Sequence, residues 1–381
     1  MLACAGWLLA PAAQAATWVA SPQGSPLSLA DALRQAKDGD TIELLPGEYP
    51  GGWTLERRRL TLRGVLSGTG KRPLIQGGGK IGSAKALWLV RGGEVTLDNL
   101  EFRGSRSAQG EGAGVRLEGG SLRVLRSAFY DNEHGIVASH DAKATLHIED
   151  SEFGLAPKVV GGLYHLLNVG RIQKLQVSGS RFQQGFEGQL IKTRARENQI
   201  LYNFIHDGLR GGASYEIEIA AGGLATVLGN VIGQGSDSQN PVLLAYGTEA
   251  PAWDKNSLAV AHNTFVNYGW VPAWFVRVIR KNLPPDVEVV AVNNLLVGAG
   301  LLWPAVGGVV AGNRHILRSA LRDADTYAFE LQPSSSWRGS AIEPPNFNGR
   351  DLTPKAEFVW PGGTVAIPPT PGRWAPGAFQ R

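Results

Sequence analysis

The sequence predicts an all-β fold: a single-stranded right-handed parallel β-helix, a solenoid with a short N-terminal capping helix and an irregular C-terminal tail. Three observations predict it. A short phrase recurs along the chain, a second stretch of apolar alternation lies between its copies, and the composition is poor in charge and rich in turn formers. Charged residues make up 18% of the 381 positions and glycine occupies 50 of them, which suits many short strands and turns better than helices.

The phrase runs as apolar alternation, Ser or Asn, one residue, an apolar residue and often Gly. It reads LRSAFYDN, IEDSEFG, VSGSRFQQG, LYNFIHDG, LGNVIGQG, HNTFVNYG and NNLLVGAG, with TLDNLEFRG as a looser early copy. Aligning the apolar residue gives Phe102, Phe129, Phe153, Phe182, Ile205, Ile232, Phe265 and Leu296, at steps of 23 to 33 residues. Rigid short strands joined by loops of variable length explain such uneven spacing, and no leucine-rich or helical consensus competes. The second strands are HGIVAS, YHLLNV, QLIKTR, YEIEIA, PVLLAY and WFVRVI. Their alternation sends one side chain into the coil and the next to solvent. The recurrent Ser and Asn would line a turn, where Asn tolerates left-handed backbone and can build a side-chain ladder.

Both ends fit a solenoid that must cover its core. SLADALRQA, Ser28 to Ala36, has helical apolar spacing, a Ser three residues before Asp31, and a stop at Asp38-Gly39; it predicts a capped helix. Beyond about residue 320 the repeat fades into a Pro- and Trp-rich tail. The expected organisation is a signal peptide at 1–16, a β-helix at 17–320 and a tail at 321–381. Ala13-Gln14-Ala15 supplies the small-x-small cleavage pattern, and the apolar run before it is too short to span a bilayer. Cys4, the single cysteine, falls inside that leader. A mature chain without cysteine has no disulfide or thiolate chemistry. A net charge of +4 without a basic run gives nucleic-acid binding little support.

The opening LADALRQAKDGDTIELLPGEYPG, the repeated N/S-x-Φ-x-x-G turns and the closing APGAFQ resemble secreted bacterial β-helix repeat proteins of the pectate-lyase-like superfamily. The resemblance covers nearly the whole mature chain and implies the fold, export to the periplasm or beyond, and a polysaccharide partner. It does not choose an activity, because such folds carry lyases, hydrolases, esterases, epimerases and non-catalytic shafts. The W-x-D-H and R-x-P-x-x-R motifs of classical pectate lyases are absent. So are the acid motifs of polygalacturonases and the D-P-H-D signature of alginate epimerases. The nearest chemistry by analogy is that of β-helix lyases that use Lys and Arg with acid-bound calcium.

One stretch, residues 165 to 249, carries the polar constellation. With Leu167, Ile191, Ile217 and Leu243 taken as the inward stack, Asn168, Lys192, Glu218 and Leu244 form the outward line, flanked by Glu216, Arg194 and Tyr246. His165 and Gln189 stand at strand entries, and Arg196 and Glu249 just past strand ends. A lyase on a uronic-acid polymer must neutralise a carboxylate, remove the adjacent proton and protonate the leaving oxygen. Lys192, with its pKa depressed by Arg194 and desolvation, is the expected base. Arg194 or Arg196 would clamp the carboxylate, and Tyr246 or His165 would supply alternative proton transfer. Gln189 and Glu249 join Arg196 as substrate-binding candidates. Asn168, Glu216 and Glu218 are candidate calcium ligands. A plain cross-strand ion-pair ladder accounts for the same alternation of sign, and E-x-E is a weak calcium signal.

His134 and His206 read as turn residues and His262 as structural. Trp253, Trp270 and Trp274 would either stack on sugar rings or cover the coil. The expected protein is therefore a monomeric polysaccharide lyase. A non-catalytic polysaccharide-binding or export-associated protein is the alternative, and a glycoside hydrolase a more distant one.

Overall fold

The computed structural model describes residues 15–77, 85–303, 308–368 and 373–380. Nearly all of the expected leader at 1–16, with Cys4, lies outside the described residues.

Each coil contributes three strands. The first two rows merge into one 20-stranded sheet, because strands such as Trp53–Gly64 and Ala86–Asp98 run through the bend between them; the third row forms an 11-stranded sheet. Every pairing within these two sheets is parallel, and each strand pairs with its equivalent in the next coil. This is a parallel β-helix, as the repeat predicts. The aligned positions fall in register without a slip: Phe102, Phe129, Phe153, Phe182, Ile205, Ile232, Phe265 and Leu296 stack coil upon coil. The four phenylalanine rings lie nearly parallel, with centroids 5.0, 4.8 and 4.5 Å apart, the offset stacking that aromatic quadrupoles favour.

The Ser/Asn ladder is present too. Ser127 N–H donates to Ser151 Oγ, Ser151 N–H to Ser180 Oγ and Ser180 N–H to Asn203 Oδ1. The ladder then continues through Asn230, Asn263, Asn294 and Asn313 at 2.8–2.9 Å. The left-handed residue is the one before each ladder position, not the ladder residue itself: Arg126 (φ 47°), Asp150 (50°), Tyr202 (56°) and His262 (50°) adopt it. The ladder satisfies buried backbone donors in a turn too tight for water.

Helix α1, Leu29–Gln35, is capped by Ser28, whose side chain accepts the Asp31 N–H. Its Leu29 and Ala32 join the coil core and close the N-terminal end. At the far end the chain leaves the coil and folds back. Two short antiparallel pairs, Leu321–Asp323 with Ala328–Leu331 and Ala356–Phe358 with Thr364–Ala366, lie outside the third-row sheet. There Phe329 and Phe358 pack on outward Phe204, Val231 and Leu295. A second crossing places Phe347 and Leu352 against Leu228, Ala261 and Val292 of the second row. Outward positions in these late coils are apolar because the tail covers them.

Candidate functional site

The first-row strands Leu167–Val169, Ile191–Thr193, Ile217–Ile219 and Val242–Tyr246 carry the predicted constellation. In the first three, Asn168, Lys192 and Glu218 stand side by side on the outward line as expected. The fourth strand is shifted by one residue from the expected register. Leu244, not Leu243, pairs with Ile217, so Ala245 follows Glu218 on the outward line. Tyr246 therefore turns inward, fully buried in line with Ile219, and its hydroxyl donates to the Gly223 carbonyl at 2.6 Å. Burial pushes the phenol upward. Tyr246 is a core residue, which corrects its expected role in proton transfer.

Glu216 needs a second correction. It precedes the strand, in the corner of the coil, where alternation does not apply. Carrying the pairing back one residue sets Leu166, Leu190, Glu216 and Leu243 on one line, and all are buried. Both carboxyl oxygens of Glu216 are shielded from solvent and meet no donor. Burial, with the nearby Asp207 charge, raises its pKa well above the ordinary range. Neither oxygen reaches the outward line where a ligand was expected.

The remaining groups form a closed network. Lys192 Nζ lies 3.1 Å from Glu218 and 3.1 Å from Glu249. Arg194 grips Glu249 in the two-pronged manner of a guanidinium on a carboxylate, Nε to Oε2 at 2.6 Å and Nη2 to Oε1 at 2.8 Å. Its Nη1 donates to Asn168 Oδ1 at 3.3 Å, and the Thr248 hydroxyl donates to Glu218 Oε1 at 2.6 Å. The Arg194 and Lys192 charges hold Glu249 below the usual carboxylate range, despite partial burial.

Glu249 rides on the loop after Tyr246, and two contacts fasten that loop. Trp253 Nε1 donates to the Arg194 carbonyl at 2.9 Å, and Arg171 stacks over the Trp253 ring at 4.2 Å. Trp253 thus braces the site, whereas Trp270 stands 95% exposed away from it.

Of the expected calcium ligands, Asn168 and Glu218 remain on the outward line and Glu216 does not. Asn168, Glu218 and Glu249 already accept from Arg194, Thr248 and Lys192. Among the described residues, no group of three or more His, Cys, Asp or Glu side chains is arranged to hold a metal ion. Arg196 lies exposed past the bend and enters no ion pair among the described residues.

His165 does border the site, and it brings His134 with it. His134 Nδ1 accepts the His165 N–H at 3.1 Å, and His165 Nδ1 accepts the Gln189 N–H at 3.0 Å. The Gln189 N–H on its Nδ1 places the proton of the neutral His165 ring on Nε2. Burial is the main reason that His134 is lowered to about 4 and His165 well below its ordinary value; the Lys192 and Arg194 charges add to the second shift. His165 is therefore a neutral donor beside the cations. His134 is not the simple turn residue expected, and only the pairing of coils 31 residues apart reveals it. His206 is fully buried under the tail and His262 is tied to Asn293 and the Ala375 carbonyl.

No protein-family model matches the sequence, and no curated protein sequence does. Among solved structures, the crystal structure of pectate lyase Pel9A is similar over 97% of this chain and 98% of that one, with a TM-score of 0.66 and 13% sequence identity. The fold is the right-handed β-helix of pectate lyases. Outside the coil, no helix among the described residues is long and apolar enough to cross a membrane.

Proposed function

We propose that the chain is an exported carbohydrate-active β-helix and that its Lys192–Arg194 face binds an acidic polysaccharide, cleaving it by β-elimination. One observation carries the reading: Lys192 and Arg194 together already grip a carboxylate, that of Glu249, on the outward side of the coil. A uronate carboxylate has the same geometry and charge. Entering the face, it would displace Glu249 and sit against the Arg194 guanidinium, which neutralises it and acidifies the proton on the carbon next to the carboxyl.

Lys192, acting as a free amine, takes that proton. The electron pair forms a double bond to the neighbouring carbon, and the glycosidic oxygen leaves that carbon with a proton from water, while the His165 Nε2–H can hydrogen-bond to it. Asn168 orients the Arg194 guanidinium, and Glu218 positions the Lys192 amine. The saturation of Lys192 by Glu218 and Glu249 favours a second reading, in which the same face binds the polymer without cleaving it.

Absorbance of unsaturated uronate ends, screened across polygalacturonate, alginate, glucuronan and glycosaminoglycans, tests the choice. On the lyase reading at least one polymer gives new absorbance, and Lys192→Ala lowers its rate by about 10²–10⁴-fold. Polymer binding that depends on Arg194 without any absorbance leaves the binding reading. Binding indifferent to both Lys192→Ala and Arg194→Ala removes this face from either role.

A further inference from the structure

One cavity lies away from the Lys192 face. It is a groove of about 700 Å³ along the outward side of the second-row strands, reaching from Thr61 to Gln176. Five coils line it, so its length is roughly 19 Å at about 4.8 Å per coil. Its charged side chains are Arg59, Arg123, Lys174 and a single acid, Glu94. Arg59 and Arg123 are exposed and form no ion pair among the described residues. Lys174 reaches Glu197, at the groove's end, only at 3.6 Å.

Between the cations stand the His147 imidazole and a row of hydroxyl and amide side chains, with Ser121 and Thr145 hydrogen-bonded at 2.8 Å. No Phe, Tyr or Trp lines the groove, so it offers no large platform for stacked bases. The next coils of the same sheet face show how such a row is occupied: there the extended tail lies on it, with Arg350 reaching Thr226 and Glu197.

We propose that this groove is a second binding site for an extended uronate polysaccharide, running along the coil axis and separate from the Lys192 face. Carboxylates would meet Arg59, Arg123 and Lys174, while sugar hydroxyls pair with the Ser, Thr and Gln side chains. The proposal rests on the reading that the protein's ligand is an acidic polysaccharide, but not on cleavage. A second site would hold a long chain close to the first face and raise its effective concentration there.

The test is titration of the full chain with polygalacturonate and with alginate, comparing Arg123→Glu/Lys174→Glu with a charge-matched control, Arg280→Glu/Lys281→Glu. The groove variant should bind at least one polymer about tenfold more weakly, with the control unchanged. Arg123→Gln/Lys174→Gln should fall between. Short uronate oligomers bound at the Lys192 face should be unaffected by either.

Equal losses in groove and control variants would reduce the effect to bulk charge and overturn the site. Loss only on Arg194→Ala would overturn the groove while leaving the Lys192 face standing. Wild-type protein that binds neither polymer would sink both, and groove-dependent binding of double-stranded DNA at equal affinity would overturn the choice of ligand.

Discussion

Two kinds of residue were assigned wrongly from the sequence, and each has a physical cause. PVLLAY offers Leu243 and Leu244 in succession, so alternation alone does not say which enters the coil. A one-residue choice flips every neighbour to the other face, which is how Tyr246 exchanged solvent for core. The strand ends carried the missing signal, since Val169 and Tyr246 share a position and each is followed by glycine, Gly170 and Gly247. Glu216 was misread because a period of two holds only inside a strand.

Its burial has a consequence for pH. A carboxyl whose folded pKa is raised favours the folded state fully below its unfolded value. That contribution is lost as pH climbs towards the folded value. Asp207, raised to about 7 chiefly by burial, adds to this cost between about pH 4 and 7. His134, lowered to about 4, works in the opposite sense: its contribution is present above about 6.5 and lost as pH falls through 4. Thermal unfolding should therefore show stability falling as pH rises, a fall that Glu216→Leu lessens and Asp207 still contributes to. That variant, matching Leu190 and Leu243, should be more stable by about 1–3 kcal/mol at pH 8. A melting temperature at pH 8 no higher than wild type would show that Glu216 has a partner or an ordered water.

At the scale of elements, the third strands and their turns were legible almost completely. The eight aligned apolar residues stack without a slip because an interior position in a coil is a hydrophobic requirement repeated at every turn, independent of loop length. The ladder was legible for a related reason: only a short side chain with an acceptor can meet the backbone N–H of the coil below. Asn230 makes this concrete. Its Oδ1 accepts from the backbone and side chain of Asn203, and its Nδ2 donates to the Ile200 carbonyl at 2.8 Å. Asn230→Ala should cost about 2–3 kcal/mol by leaving buried backbone groups unpaired, read by chemical denaturation. Asn230→Ser should recover part of it, as Ser127, Ser151 and Ser180 do elsewhere in the same row. A serine variant as unstable as the alanine would mean that the ladder depends on the longer amide.

The site was legible as residue types on adjacent coils but not as a circuit, because pairing partners depend on loops whose path the sequence leaves open. Glu249 closes the circuit from a loop, and its position at the strand end said nothing of a bidentate grip on Arg194. The same geometry predicts how the site responds to losing it. In Glu249→Gln the amide cannot neutralise Arg194, so the face gains a free guanidinium. Uronate oligomers should bind several-fold more tightly, with a steeper dependence on salt. Calorimetric titration at two ionic strengths reads both effects, and unchanged affinity would mean that the ligand does not compete for this place. Lys192→Ala has the opposite character. It strips Glu218, whose side chain is 6% exposed, of its cation and should cost about 3 kcal/mol of stability. Its activity must therefore be judged at a temperature where the fold is intact.

For the molecule as a whole, the tail is what covers the apolar flank of the solenoid. Phe204, Val231, Val266, Leu295 and Val297 are buried only because Phe329, Leu331, Phe358 and Ala378 lie on them. His206 is fully buried in the same place: its ring stacks with Phe204 and Phe329. Beneath it, a β-carbon on Gly233 would approach His206 Cδ2 to 2.1 Å, so that coil tolerates only glycine. Burial lowers the His206 pKa to about 3, which keeps the ring neutral while the tail stays down. Removing residues 321–381 would expose this flank as one patch, and a patch of that kind drives association. The truncated chain should keep the far-ultraviolet signature of the coil, since each coil pairs only with its neighbours. It should also bind hydrophobic dyes and aggregate at concentrations where the full chain remains dispersed. Phe329→Glu should reproduce the dye binding without deleting a residue. A truncated chain that stays monomeric and dye-silent would mean that the coil covers this flank by some means other than the tail.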